Sequence, residues 1–237
     1  MRHLFTSILL LVASFNLKAQ TEQVAIGTFK VVYVYGPFIV NFIKSTTCRM
    51  EIDYNGIEKE EIIIKSKDED LHIKLRNRSF FDFNNNSWES KNSRYAQVTI
   101  YYTNLEAIEA RAGARIRASE TIVSKEIFLV SKMGADMRLD INTQNLELDS
   151  SMGSEVNLTG MAEKVEIRSK MGSHVDASSL KSQHVNVSSS MGSDVSIFAE
   201  QELNASADFG GSITYKGNPS MKHTSTFLGA DVHKIKN

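Results

Sequence analysis

The chain repeats a short glycine-centred phrase at nearly constant spacing. The segments "SKMGADMRL", "SSMGSEVNL", "SKMGSHVDA" and "SSMGSDVSI" begin at Ser131, Ser150, Ser169 and Ser189. The pattern extends to seven glycines that are 18 to 21 residues apart: Gly113, Gly134, Gly153, Gly172, Gly192, Gly210 and Gly229. A fixed period of this length is typical of solenoids, in which each unit buries its apolar side only by stacking on its neighbours.

Several positions around each glycine repeat as well. The next residue is small, as in Ser154, and an apolar residue such as Val156 follows two positions later. A second alternating segment, such as Val165-Glu166-Ile167, comes about twelve residues after the glycine. Alternation of apolar and polar residues indicates β-strands, and these runs are too short for helices. We therefore expect each unit of 19–21 residues to contain two or three short strands joined by turns, stacked as an all-β parallel β-helix.

The repeat also predicts which side chains face the interior. If the valines are inside, alternation places the small residues and the methionines before the glycines, such as Met152, inside too. The glycines are expected in turns or bulges that need a positive φ or a close neighbouring backbone. One column is expected to face outward: Arg115, Asp136, Glu155, His174, Asp194, Ser212 and Asp231. Its carboxylates could hold Ca²⁺, but Arg115 and His174 interrupt the row, so a solvated face and no metal site are expected.

Residues 20–110 carry longer strand-like runs separated by turn signals, among them "TFKVVYVYGPFIVNFIKS". We expect an N-terminal β-layer that continues into the coils of residues 111–237, so that residues 20–237 form a single domain.

An asparagine-rich insert, residues 79–97, interrupts the N-terminal layer. It carries five aromatic candidates for binding a sugar or a protein partner: Phe80, Phe81, Phe83, Trp88 and Tyr95. The alternative is that these side chains fold back over the open end of the coil, where bare edge strands would otherwise aggregate.

The first twenty residues, "MRHLFTSILLLVASFNLKAQ", predict export. A basic start, an apolar stretch and a small residue at Ala19 are typical of a signal peptide over residues 1–19. The apolar stretch is too short to span a membrane, and no later segment reaches about 20 apolar residues. The single cysteine, Cys48, lies well inside the mature chain. We therefore expect export by the Sec route without a lipoprotein anchor and without an internal disulfide.

Charge disfavours one class of partner. The 27 basic and 28 acidic residues give a formal net charge of −1, whereas nucleic acids require a basic face. We expect no nucleic-acid partner.

Taken in order, several segments resemble the auto-transporter adhesin head family, called the GIN domain. They are "GTFKVVYVYGPFIVNFIKS", "DLHIKL", "VTIYYTNLEAIEARAGARI", the repeated "MGS" coils and "YKGNPSMK". The resemblance covers about residues 25–236. It implies a right-handed parallel β-helix and an envelope protein of a Gram-negative bacterium, in the periplasm or on the outer surface. It brings no catalytic residues.

Three functions remain open from the sequence. The favoured one is a non-catalytic adhesin or scaffold module that presents β-helix faces to a polysaccharide or an envelope protein. The second is a carbohydrate-active lyase or hydrolase, which would need paired carboxylates about 5 to 10 Å apart across a cleft. The third is a structural role through self-association. We expect no catalytic residue and no cofactor, because the flanks carry scattered Ser, Asn, Lys and Glu.

Overall fold

A computed structural model describes residues 21–55, 57–76 and 95–235. Its eighteen strands form one continuous sheet that coils upon itself. Parallel partners lie about 19 residues apart, as in Asp136 and Glu155, and the coils complete about seven turns. The parallel β-helix predicted from the repeat is confirmed.

The elements follow one another without an α-helix in the part of the chain that the structure describes. A 3-10 helix, Lys59–Glu61, precedes β5. The strands are β1 (Glu22–Val24), β2 (Val31–Tyr35), β3 (Phe38–Lys44), β4 (Arg49–Asp53), β5 (Ile62–Lys67), β6 (Asp70–Leu75), β7 (Ala96–Tyr102), β8 (Ala107–Arg111), β9 (Arg115–Ala118), β10 (Ile122–Lys132), β11 (Asp136–Ser151), β12 (Glu155–Lys170), β13 (His174–Ser190), β14 (Asp194–Phe198), β15 (Glu202–Asp208), β16 (Ser212–Lys216), β17 (Met221–Phe227) and β18 (Asp231–Lys234).

The middle coils differ from the predicted short strands. Each of β11, β12 and β13 is one strand of 16 or 17 residues, whereas the later coils are split, as in β14 and β15. The long strands still bend: Thr143 and Leu146 are both buried although they are three residues apart, so the side-chain alternation shifts between them. Consecutive coils bend at matching positions, and pairing therefore continues around the bend.

The interior consists of stacked columns. One column runs through Ile116, Met137, Val156, Val175, Val195 and Ile213, each at most 1% exposed. The small residues after the corner glycines are also inside, as expected: Ala114, Ala135, Ser154, Ser173 and Ser193 are buried. Burial of these columns against their copies in neighbouring coils supplies the hydrophobic stabilisation of the stack.

The N-terminal strands enter the same sheet. β2 pairs in parallel with β8 and β6, and β3 pairs in parallel with β9 and β7. Antiparallel strands then close this end: β5 lies on β6, β4 on β7, and β1 on β4. The Tyr54 hydroxyl donates to Glu22 Oε2 at 2.9 Å and ties the first strand to the end of β4.

Candidate functional site

Each Met-Gly pair forms a corner of two consecutive residues with positive φ. The angles are 58° at Met152 and 68° at Gly153, and 56° at Met171 and 67° at Gly172. Two successive positive φ angles are the signature of a type I′ turn. No atom lies within 4 Å of the position that a Cβ would take on Gly172. The backbone conformation, and not crowding, is therefore what favours glycine at this corner.

The prediction that the methionines point inward is wrong. Met152, Met171 and Met191 are 50%, 38% and 56% exposed. Side chains alternate only along extended backbone, and the left-handed conformation of each methionine turns its side chain outward. Together with the half-buried Met133 and two exposed residues of the last coils, they form a row that we call the apolar ridge: Met133, Met152, Met171, Met191, Phe209 and Leu228.

Serine pairs fill the interior behind the ridge. Ser169 Oγ lies 2.8 Å from Ser173 Oγ, and Ser150 Oγ lies 2.9 Å from Ser154 Oγ. The Ser154 hydroxyl also donates to the carbonyl of Ser131 in the preceding coil at 2.8 Å. These hydroxyls satisfy buried backbone groups at the corner, where unpaired polar groups would be destabilising.

The segment before each corner presents the most regular outward surface. We call it the polar flank: residues 145–151 of β11 and their partners in the neighbouring coils. Its two outward columns are Glu147, Glu166, Asn186, Asn204 and His223, and Asp149, Arg168, Ser188, Ser206 and Ser225. A groove of about 360 Å³ runs over both columns from Glu166 to Ser225.

The charged end of the groove is organised by one guanidinium. Arg168 lies 2.6 Å from Glu147, 2.5 Å from Glu166 and 3.4 Å from Asp149. The hydrogen bond to Glu147, with the nearby carboxylates, raises the pKa of Arg168, against an opposing effect of burial. One guanidinium thus bridges carboxylates of β11 and β12.

The other end of the groove is mostly neutral and polar. Asn204 Nδ2 donates to Asn186 Oδ1 at 2.9 Å and to Glu202 Oε1 at 3.0 Å, and His184 Nδ1 lies 3.2 Å from Glu202 Oε2. The Asn204 amide first, and then His184, lower the pKa of Glu202. A wider depression of about 730 Å³, lined by Glu202 and His184 among others, adjoins the groove toward the bend.

Aromatic side chains extend the same column at the N-terminal end. Tyr33 stacks on His72 with ring centroids 4.4 Å apart and planes 4° apart. Tyr33 pairs with Glu109, Glu109 pairs with Val130, and Val130 pairs with Asp149 of the polar flank. Burial raises the pKa of Tyr33 above its ordinary value, and its hydroxyl can donate a hydrogen bond at neutral pH.

The aromatic insert is described only at its end. Phe80, Phe81, Phe83 and Trp88 lie outside the described residues. Tyr95 is half-buried, and the Arg115 guanidinium stands 4.3 Å from its ring centroid. The described residues on either side belong to the N-terminal coils: Lys74 of β6 pairs with Tyr35, and Ala96 of β7 pairs with Phe38.

Residues 21–55, 57–76 and 95–235 contain no group of three or more His, Cys, Asp and Glu side chains arranged to hold a metal ion. No helix among them has the length and apolar character needed to cross a membrane.

The sequence reasoning missed the polar flank. Asn186 lies between Val185 and Val187, and Asn204 between Leu203 and Ala205. Alternation alone marks both asparagines as outward, but only the register shows that they are partners in adjacent coils. The polar residues of the second alternating segment in each unit were the signal that could have identified this surface.

Known proteins share this architecture. A "putative adhesin" from Bacteroides fragilis superimposes with a TM-score of 0.77 and 19% identity, covering 92% of this chain and 98% of that chain. A "putative adhesin" from Parabacteroides merdae gives 0.66 and 18%, over 93% and 98%. A "putative lipid binding protein" from Parabacteroides distasonis gives 0.64 and 14%, again over 93% and 98%. At these identities the likeness establishes the fold.

No curated protein matches the chain. A family pattern does, over residues 28–219, which is most of the sequence. Its span includes β2 to β16, and with them the Met-Gly corners and the polar flank as far as β15. The chain belongs to the family described as "Putative auto-transporter adhesin, head GIN domain".

Proposed function

We propose that this chain is a non-catalytic, adhesin-like binding module of the bacterial cell envelope that presents its polar flank to an extended polysaccharide. The observation that carries the proposal is the pair of outward columns along the groove. Carboxylate, asparagine and serine groups recur there at the spacing of neighbouring strands, about 4.8 Å per coil, beside the guanidinium of Arg168. A polymer of repeating units can engage such groups on several coils at once.

The chemistry of the columns suits sugar hydroxyls. Asn186 and Asn204 offer amide donors and acceptors, Ser188 and Ser206 offer hydroxyls, and Arg168 offers a planar set of donors. The stacked Tyr33 and His72 rings provide a flat apolar surface on the same column. A few convergent polar groups beside apolar contact area are typical of ligand sites.

Family membership and the relatives support an envelope location. The family is described as an auto-transporter adhesin head, and two of the similar structures are described as adhesins. Export through the predicted signal peptide of residues 1–19 belongs to this proposal and is tested by N-terminal sequencing of the protein recovered from the envelope fraction. An N-terminus at Met1 would contradict it.

The flank also argues for a binding role over the alternative of a lyase or hydrolase. A glycosidase needs one carboxyl group that stays protonated beside one that is ionised. On the polar flank Glu147, Glu166 and Asp149 all contact one guanidinium, that of Arg168. This arrangement fits a recognition surface better than a general acid.

A glycan array probed with residues 20–237 tests the proposal. We expect saturable binding of a polysaccharide that falls at least about tenfold in the variant N186A/N204A, because two hydrogen-bonding groups of the groove are lost. The matched control N142A/N157A removes the same chemistry from outward positions before the bend and should bind normally.

Three outcomes would contradict the proposal. An equal loss of binding in the control variant would place the ligand outside the groove. Absence of binding to any glycan would rule out a polysaccharide ligand. Release of new reducing ends or unsaturated sugars from a bound glycan would make the protein an enzyme.

A further inference from the structure

In the described part of the chain, the last coil of the solenoid leaves one sheet edge unpaired. Among the residues that the structure describes, β17 pairs only with β15, and β18 only with β16. Every residue of β17 is exposed. Half of the backbone groups of an edge strand point away from the sheet, so β17 offers a row of donors and acceptors to another strand.

The opposite end carries features that protect a sheet edge. β1 is three residues long, and β5 ends in the exposed run Lys65-Ser66-Lys67. Short strands and edge lysines discourage pairing with another chain. β17 has seven residues with the sequence MKHTSTF, in which Lys222 is the one Lys, Arg, Asp or Glu. The two ends are therefore protected to different degrees.

Exposed apolar side chains gather at the open end. Met221, Phe227 and Leu228 are 53%, 56% and 61% exposed, and Phe209 packs edge-on against Phe227 with ring centroids 5.7 Å apart. Met221 and Phe227 stand at the two ends of β17. Apolar groups of this size beside unpaired backbone mark a surface suited to contact with protein.

We propose that β17 is a self-association edge at which two copies of this chain join tail to tail as an antiparallel strand pair. A register centred on Thr224 pairs all seven residues. Met221 then faces Phe227 of the second copy, Lys222 faces Thr226, and His223 faces Ser225, while Thr224 faces its own counterpart on the two-fold axis. This proposal is independent of glycan binding.

The side-chain pairs formed in this register favour a second copy as the occupant. It places an apolar residue opposite an aromatic one at both ends and a threonine pair at the centre, and such cross-strand pairs stabilise a sheet. No two like charges stand opposite each other. The pair occupies the β17 edge of both copies. No β17 edge is then left for a third copy, so the assembly closes at two.

The same register joins the polar flanks. Met221, His223, Ser225 and Phe227 are the partners of outward flank residues such as Asn204. Because outward residues pair with outward residues, the flanks of the two copies continue as one face. A slip by one residue would place every outward side chain opposite an inward one. The dimer thus doubles the length of the surface available to a polymer.

Analytical ultracentrifugation of residues 20–237 over a wide concentration range is the first test. We expect a monomer–dimer equilibrium. The variant H223K/S225K places lysines opposite lysines across the axis and should weaken the dimer by about tenfold or more. The variant H223E/S225K places opposite charges in those positions and should keep the dimer. A monomer at every concentration, or equal behaviour of the two variants, would overturn the proposal.

A disulfide probes the register directly. Opposed residues of an antiparallel pair have Cα atoms about 4.5 to 5.5 Å apart, which suits a disulfide. In a Cys48→Ser background, Thr224→Cys should give a covalent dimer under mild oxidation, whereas Ser206→Cys on β15, which is paired on both sides, should not. A solution dimer that forms no bond at position 224 would overturn the proposed register and with it the proposal.

Discussion

The interior of the protein differs between its N-terminal strands and its repeated coils. Around β2, β3 and β7 it holds large side chains such as Phe38, Phe42 and Tyr102, and the last two rings meet edge to face at 6.1 Å. In the coils the space behind the corner holds serine pairs such as Ser169 and Ser173. Both regions nevertheless belong to one sheet with continuous pairing.

The difference shows that one kind of coil can be filled in two ways. The packing of a large ring depends on shape complementarity with its particular neighbours. Small residues repeated in every coil stack on copies of themselves, and serine hydroxyls satisfy the backbone at the tight corner. We therefore expect mutations to act through cavities in the N-terminal region, and through unpaired polar groups and strained corners in the repeated coils.

Separating the two regions should have the largest effect. Residues 105–237 alone would lose β2 and β3 as partners of β8 and β9, and would leave Ile108 and Ile116 at a bare sheet edge. We predict aggregation, measured as soluble yield and by size-exclusion chromatography. A soluble, cooperatively unfolding fragment would contradict the expectation that residues 20–237 form a single domain.

Loss of a ring should be the most damaging single change. Phe42→Ala is expected to lower the free energy of unfolding by about 3–5 kcal/mol, because a cavity remains among rigid neighbours. Ile167→Val in the coils should lower it by about 0.5–1.5 kcal/mol. Urea denaturation measures both values. A loss for Phe42→Ala as small as that for Ile167→Val would show that the neighbours of Phe42 collapse into the cavity.

Removal of a corner hydroxyl comes next. Ser173→Ala leaves Lys170 N–H and the Ser150 carbonyl without their hydroxyl partner. We expect a loss of about 1–3 kcal/mol in the free energy of unfolding. Ser179→Ala, at an exposed position of the same strand, serves as control and should stay within about 0.5 kcal/mol of the unmutated protein. A neutral Ser173→Ala would show that water replaces the hydroxyl.

Strain at the corner should have a slightly smaller effect. Gly172 has a φ of 67° and free space around its Cα, so Gly172→Ala is expected to destabilise by about 1–2 kcal/mol through conformation alone. Gly172→Asn should lose less stability, because asparagine tolerates the left-handed region of φ. Thermal unfolding of both variants measures which of the two is less stable. Equal effects would argue against a conformational cause.

The smallest effect concerns pH and the closed N-terminal end. Burial, followed by the hydrogen bond to Glu22, raises the pKa of Tyr54 to about 12. The folded state thus holds this proton more tightly than the unfolded chain, where the pKa is about 10. The resulting stability is complete below about pH 10 and is lost between about pH 10 and 12. Over this range the unmutated protein should lose stability more steeply than Tyr54→Phe; parallel curves would contradict the assignment.

Sequence reasoning reached the architecture because its signals are local and repeated. Alternation placed Val156, Val175 and Ser154 inside, and their common period implied stacking. The same rule failed at Met152, where the backbone leaves the extended region. It also could not show that β11, β12 and β13 run unbroken through their bends, since that continuity depends on neighbouring coils bending together.

The candidate site was less accessible from the sequence. Among the five aromatic residues chosen from the insert, Tyr95 is the one in the described part, where it contacts Arg115. The columns of the polar flank are assembled from residues about 19 positions apart, so no short segment contains them. Glu147, Glu166 and Arg168 become one ionic cluster only after the coils are stacked.

By itself, the sequence determined the period, the strand character and the interior columns of this protein, because hydrophobic burial acts on every unit in the same way. The tertiary structure decided which way the methionines point, which polar residues share a groove, and which strands form the edges of the described sheet. These depend on backbone conformation at the corners and on register between coils, and both are properties of stacked neighbours.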